Sequence, residues 1–103
     1  MEFTDYFKML PPSIQGLIHL IVSKASPKSI LLFGSRARGN HRDNSDFDIA
    51  ILGKGCSEEE WARVLSDIME APLTLYNLDL VEYEKLNTDY QARIKKEGKV
   101  LYG

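Results

Sequence analysis

Cys56 is the chain's one cysteine, so no intrachain disulfide can form, which fits a reducing compartment. Charge of one sign is also missing. Thirteen Lys and Arg stand against 15 Asp and Glu, for a formal net charge of −2, which does not suggest a protein that coats nucleic acid by bulk electrostatics. A small acidic excess suits carboxylates that hold cations. Long apolar runs are absent too. The longest, Ile14 to Val22, is broken by Gln15, Gly16 and His19 and is too short to span a membrane. Met1 to Leu10 carries Glu2 and Asp5 and lacks the basic start and apolar centre of a signal peptide. There are no repeats, low-complexity segments or linkers. What remains is 103 residues at 44% hydrophobic and 27% charged, the composition of one compact domain over residues 1–103, expected in the cytoplasm.

The regular elements follow from periodicity. Scattered aromatics (Phe3, Tyr6, Phe7) make the first ten residues a short helix or an ordered arm. After Pro11 and Pro12, the residues Ile14, Leu17, Ile18, Ile21 and Val22 fall on one helical face, and Pro27 marks its stop. His19, beside that stripe and with no second ligand at i+4, reads as a helix-boundary or partly buried structural histidine and not as a ligand. Lys28 to Phe33 is a buried strand ending at Gly34. Ser35 to Arg38 allows about one helical turn before Gly39, and Gly39 to Ser45 is loop. Asp46 to Leu52 is a second strand, and its short connection to the first favours antiparallel pairing. Ser57 and Glu60 form a capping box ahead of a helix carrying Trp61, Val64, Leu65, Ile68 and Met69, with Pro72 as its end. Trp61 reads as a core anchor, and the Glu58–Glu60 run as charge at the positive end of the helix dipole. Leu75 to Tyr83 is a third strand, reached by a parallel crossover. Leu86, Tyr90 and Ile94 mark a last helix with a Thr88–Gln91 capping box and Gly98 as its stop, after which Val100 to Tyr102 docks back as a tail.

Chemistry concentrates between Gly34 and Asp48. Asp46 and Asp48, two apart on a strand, point to one face and repel unless a cation lies between them. Mg²⁺ takes such oxygen ligands and completes its shell with water and phosphate oxygens. The alternative is a loop–strand junction with Asp46 outside the sheet. Asp79 stands between Leu78 and Leu80, where a buried carboxylate is costly unless paired or metal-bound; the alternative is a sheet edge facing water. Gly34 permits close backbone approach, Ser35 opens a turn with free N–H groups, and Arg36 and Arg38 put positive charge where an anion would explain it. Two solvated arginines would read the same way singly. A nucleic-acid patch at Arg36, Arg38, His41 and Arg42 has no aromatic platform beside it.

Gly34-Ser35, ten intervening residues, then Asp46-x-Asp48 resembles the signature of the polymerase-beta-like nucleotidyltransferase superfamily. The run Gly34-Ser35-Arg36-Ala37-Arg38-Gly39 with Ser45-Asp46-Phe47-Asp48 is similar to its minimal nucleotidyltransferase branch, which includes antitoxins encoded beside HEPN toxins. The resemblance implies an α/β (α+β) nucleotidyltransferase fold, a small mixed three-stranded sheet flanked by about four helices. It implies an enzyme, a protein adenylyltransferase. Gly34 and Ser35 would hold the β/γ-phosphates of ATP, Asp46 and Asp48 two Mg²⁺ ions, and Asp79 the catalytic ion and the acceptor's proton. Arg36, Arg38 and Ser45 would be further nucleotide contacts. The implied acceptor is a tyrosine of a HEPN-domain toxin. The alternative is a non-catalytic antitoxin that neutralises by docking. Phe47 departs from the family's usual Ile or Leu, on the face opposite the aspartates. The chain also stops soon after the core fold, with no second domain to grip base or acceptor, so a partner chain is expected to complete the acceptor site.

Overall fold

The computed structural model describes residues 2–70 and 77–103. A four-stranded sheet runs in the order β3-β2-β1-β4, from β1 (Ser29–Phe33), β2 (Phe47–Leu52), β3 (Leu78–Glu82) and β4 (Lys99–Tyr102). Among the described residues five α-helices accompany it: α1 (Asp5–Lys8), α2 (Pro12–Ala25), α3 (Gly34–Arg38), α4 (Glu58–Glu70) and α5 (Thr88–Glu97), with a 3₁₀ turn at Tyr83–Lys85. β1 pairs antiparallel with β2, and β2 pairs parallel with β3 across α4, both as the connection lengths require.

Burial divides the sheet into two faces. Ile30 and Leu32 of β1 and Phe47, Ile49 and Ile51 of β2 pack with α2 and with Trp61 and Val64 of α4 in the main core. Leu31, Phe33 and Ala50 form a smaller cluster under Ile94 of α5. The period-2 alternation of β1 and β2 is apolar on both sides because helices cover both sides. α2 starts with Pro12 at its first turn and ends at Ala25, two residues before Pro27, through Ser26 in a left-handed conformation (φ 46°). The capping box of α4 is formed: Ser57 Oγ accepts from the Glu60 N–H at 3.1 Å, and Glu60 Oε1 accepts from the Ser57 N–H at 3.2 Å. Among the described residues no helix is long and apolar enough to cross a membrane.

Several expectations change. The sheet has a fourth strand, because the tail after Gly98 adds antiparallel to the free edge of β1, and Leu101 is completely buried there. β2 begins at Phe47, which leaves Asp46 just outside the sheet. β3 spans Leu78–Glu82; residues 75 and 76 of the expected strand, like Pro72, lie outside the described residues, and Tyr83 turns into the 3₁₀ segment. The last helix is capped by Asn87, whose side chain accepts from the Tyr90 N–H at 2.8 Å, while Gln91 donates to the Tyr83 carbonyl. Thr88 is therefore the first helical residue and not the cap. His19 is exposed, its ring set against Phe3 and Phe7.

Candidate active site

β1 delivers the chain to Gly34, where the backbone takes φ +75° and turns into the five-residue α3. A side chain here would be strained, and a Cβ would collide with Asp48 Oδ2 and stand 3.1 Å from its Cγ. The Gly34 backbone and the Asp48 carboxylate therefore lie against one another. Ser35 follows in α3, and its carbonyl accepts from Gly39 and from the Asn40 N–H.

Asp48 is paired in register with Phe33 on one side and with Asp79 on the other. Registered partners share a face, so Asp48 and Asp79 lie on the α5 side, opposite Phe47 and the main core. Asp46, at the entry to β2, lies close enough to act on Asp48 electrostatically. The Asp48 carboxyl is raised above its ordinary value, first by burial, then by the negative charges of Asp79 and Asp46, against a smaller opposing pull from Arg38. The three carboxylates thus share one electrostatic neighbourhood at one end of the sheet.

Asp79 is on the edge strand and exposed. The flanking leucines do not bury it, so the burial argument for its role fails. What places it is its register with Asp48. Among the described residues no three His, Cys, Asp or Glu side chains form a group that could by itself hold a metal ion. The donors nevertheless have the chemistry of a Mg²⁺ site: hard oxygens that repel one another, Asp48 and Asp79 on adjacent strands and Asp46 at the entry to β2. That ion typically uses one or two carboxylates and takes its remaining ligands from substrate phosphates and water.

The remaining expected contacts divide. Arg38 Nη1 reaches Glu97 Oε2 at 3.1 Å, tying α3 to the end of α5. Arg36 turns toward the loop. Its Nε donates to the Ser45 carbonyl at 3.2 Å, its Nη2 donates to the carbonyls of Ser45 and Asp43, and the guanidinium stacks 4.0 Å over the Phe47 ring. Ser45 Oγ accepts from the Arg42 N–H at 2.9 Å and closes the turn before Asp46. Arg36 and Ser45 therefore hold the loop that presents Asp46. Phe47, fully buried, anchors that loop from the opposite face.

Sequence reasoning passed over the charged cluster at the other end of β2. Lys54 bridges Glu58 and Glu82, and Lys85 bridges the same two carboxylates. The i,i+4 spacing of Lys54–Glu58 and the i,i+3 spacing of Glu82–Lys85 were its only signals. It clasps α4 to β3 and lies away from the aspartates.

Comparison with known proteins identifies the family. Residues 15–103 match the family model described as polymerase beta, nucleotidyltransferase. A Methanocaldococcus jannaschii protein, named provisionally as a protein adenylyltransferase, is 35% identical over 83 residues, covering 73% of this chain and 78% of that protein. Solved structures are similar in fold, among them the following three. A toxin–antitoxin with AMP-PNP has a TM-score of 0.65 at 24% identity, covering 90% of this chain and 74% of its own. A double Asp-to-Glu mutant of the MntA–HpeT toxin–antitoxin has a TM-score of 0.61 at 25% identity, covering 85% and 70%. A protein provisionally described as a minimal nucleotidyltransferase has a TM-score of 0.63 at 21% identity, covering 90% and 93%. With the family model spanning most of its length and a curated relative above 30% identity, this chain belongs to the polymerase-beta nucleotidyltransferase family.

Proposed function

We propose that this nucleotidyltransferase moves AMP from ATP to a hydroxyl of a partner protein, a tyrosine of a HEPN-domain toxin, and so acts as the antitoxin. The observation that carries this reading is the register of Asp48 with Asp79, with Asp46 in the same field. The provisional name of the M. jannaschii relative and the toxin–antitoxin neighbours support it. In the MntA–HpeT mutant the two substituted aspartates stand two positions apart, the spacing of Asp46 and Asp48.

In this reading Gly34 and Ser35 would receive the β- and γ-phosphates, and Asp46, Asp48 and Asp79 would hold two Mg²⁺ ions, with phosphate and water oxygens completing their shells. Bound there, the ions would supply charge neutralisation on the triphosphate and on the attacking oxygen. Asp79, exposed at the sheet edge, accepts the proton of the incoming hydroxyl. That oxygen forms the new bond to the α-phosphorus, and pyrophosphate leaves. Arg38 adds positive charge near Asp48, while Arg36 and Ser45 act through the loop. The 103 residues work as one domain in the cytoplasm, and the partner supplies the acceptor.

Incubation with labelled ATP, Mg²⁺ and the product of the adjacent gene tests the proposal. Wild type should label the partner, and an Asp46→Asn/Asp48→Asn variant should not. If neither labels it, the enzymatic reading fails. If the double variant still neutralises the toxin, docking is the mechanism.

A further inference from the structure

At the same end of the sheet, on the face opposite the carboxylates, lies a groove of about 370 Å³. Its floor is Leu32 and Phe47. The N-terminal arm forms one wall, and α3 with the following loop forms the other. Two large side chains of the arm stand in water beside it: Met9 is 79% exposed and Tyr6 48%. Exposed apolar groups clustered at a concave site mark interaction surfaces, and an unbranched Met adapts to what it covers.

The charged lining has one sign. Arg36 and Lys99 border the groove beside His41, and among the described residues no carboxylate does, although the chain as a whole carries −2. Lys99 Nζ stands 5.5 Å over the Tyr6 ring, so its charge is held at the mouth. Apolar floor and basic border together select a polypeptide segment with a large apolar side chain flanked by Asp or Glu. The groove is also one strand's thickness from the chemistry, because Phe47 in its floor sits between Asp46 and Asp48.

We infer that this groove docks the protein that receives AMP, through an acidic segment bearing an apolar anchor. The inference rests on the proposed adenylyl transfer to a protein. Its test starts from the polypeptide that the wild-type chain labels with [α-³²P]ATP, identified by mass spectrometry and purified. Met9→Asp and Lys99→Glu should each raise the KM for that polypeptide at least about tenfold, leaving the KM for ATP and the saturated rate unchanged. Met69→Asp, at an 85% exposed position of α4, should change nothing. Reversing an acidic residue of the docked segment to Lys should restore the KM of Lys99→Glu. Labelling that persists with an unchanged polypeptide KM in both variants overturns the docking site but leaves the transfer reaction standing. A concentration-dependent dimer abolished by Met9→Asp also overturns it, because the groove would then bind a second copy. Absence of any labelled polypeptide with wild type overturns adenylyl transfer itself, and the docking inference with it.

Discussion

A methyl group at Gly34 has nowhere to go. The positive φ and the Asp48 carboxylate both exclude it. Gly34→Ala should cost about 1–3 kcal/mol of stability and abolish transfer, checked by urea denaturation alongside the labelling assay. Asp48→Asn acts the other way on the free protein. It removes a carboxylate raised by burial and by two like charges, so thermal melting in EDTA should shift upward while transfer falls by at least about a hundredfold. At this scale the sequence was most informative where spacing carries geometry: the Gly34 backbone and the Asp48 carboxylate end up against each other. It misled at Arg36, because the carbonyls that engage its guanidinium belong to a loop whose path no periodicity describes. It misled at Asp79 as well, whose two leucine neighbours suggested burial on what is an edge strand.

Among the elements, β4 and the cap of α5 show why local patterns fall short. Four residues after a helix stop carry too little alternation to announce a strand. What makes Lys99–Tyr102 one is the unpaired edge of β1 and the pocket that buries Leu101. Leu101→Ala should therefore destabilise the protein by about 2–5 kcal/mol, far more than a docked tail would. At α5, Thr88-x-x-Gln91 matched a capping box, but the side chain that accepts the helical N–H is that of Asn87. Asn87→Ala should cost about 1 kcal/mol and Thr88→Ala much less, a difference that chemical denaturation of the two variants resolves. The helices with strong apolar stripes, α2 and α4, and the pairing of the first three strands were legible because burial and connection length fix them.

The whole molecule sets two charged ends against each other. At one, Asp48 is raised, so its ionisation opposes folding and the penalty is relieved as pH falls through its pKa. At the other, burial pushes Glu82 up, but hydrogen bonds from Lys54 and Lys85 outweigh it and hold the carboxyl below its ordinary 4.5. That contribution is present above the unfolded value and is lost as pH drops through the folded one. Glu82→Gln should therefore lower stability at pH 7 by about 1 kcal/mol and flatten the loss of stability in acid below pH 4.5, as read from urea midpoints across pH. A fold clasped at one end can carry three like charges at the other, where the proposed reading puts cations and a triphosphate. That arrangement stands or falls with Asp79, the member of the set that stands on the edge strand. The most direct measurement is AMP transfer by Asp79→Asn with ATP binding recorded on the same preparation. The prediction is a folded protein that binds ATP and transfers at least about a hundredfold more slowly; transfer at the wild-type rate would contradict the account.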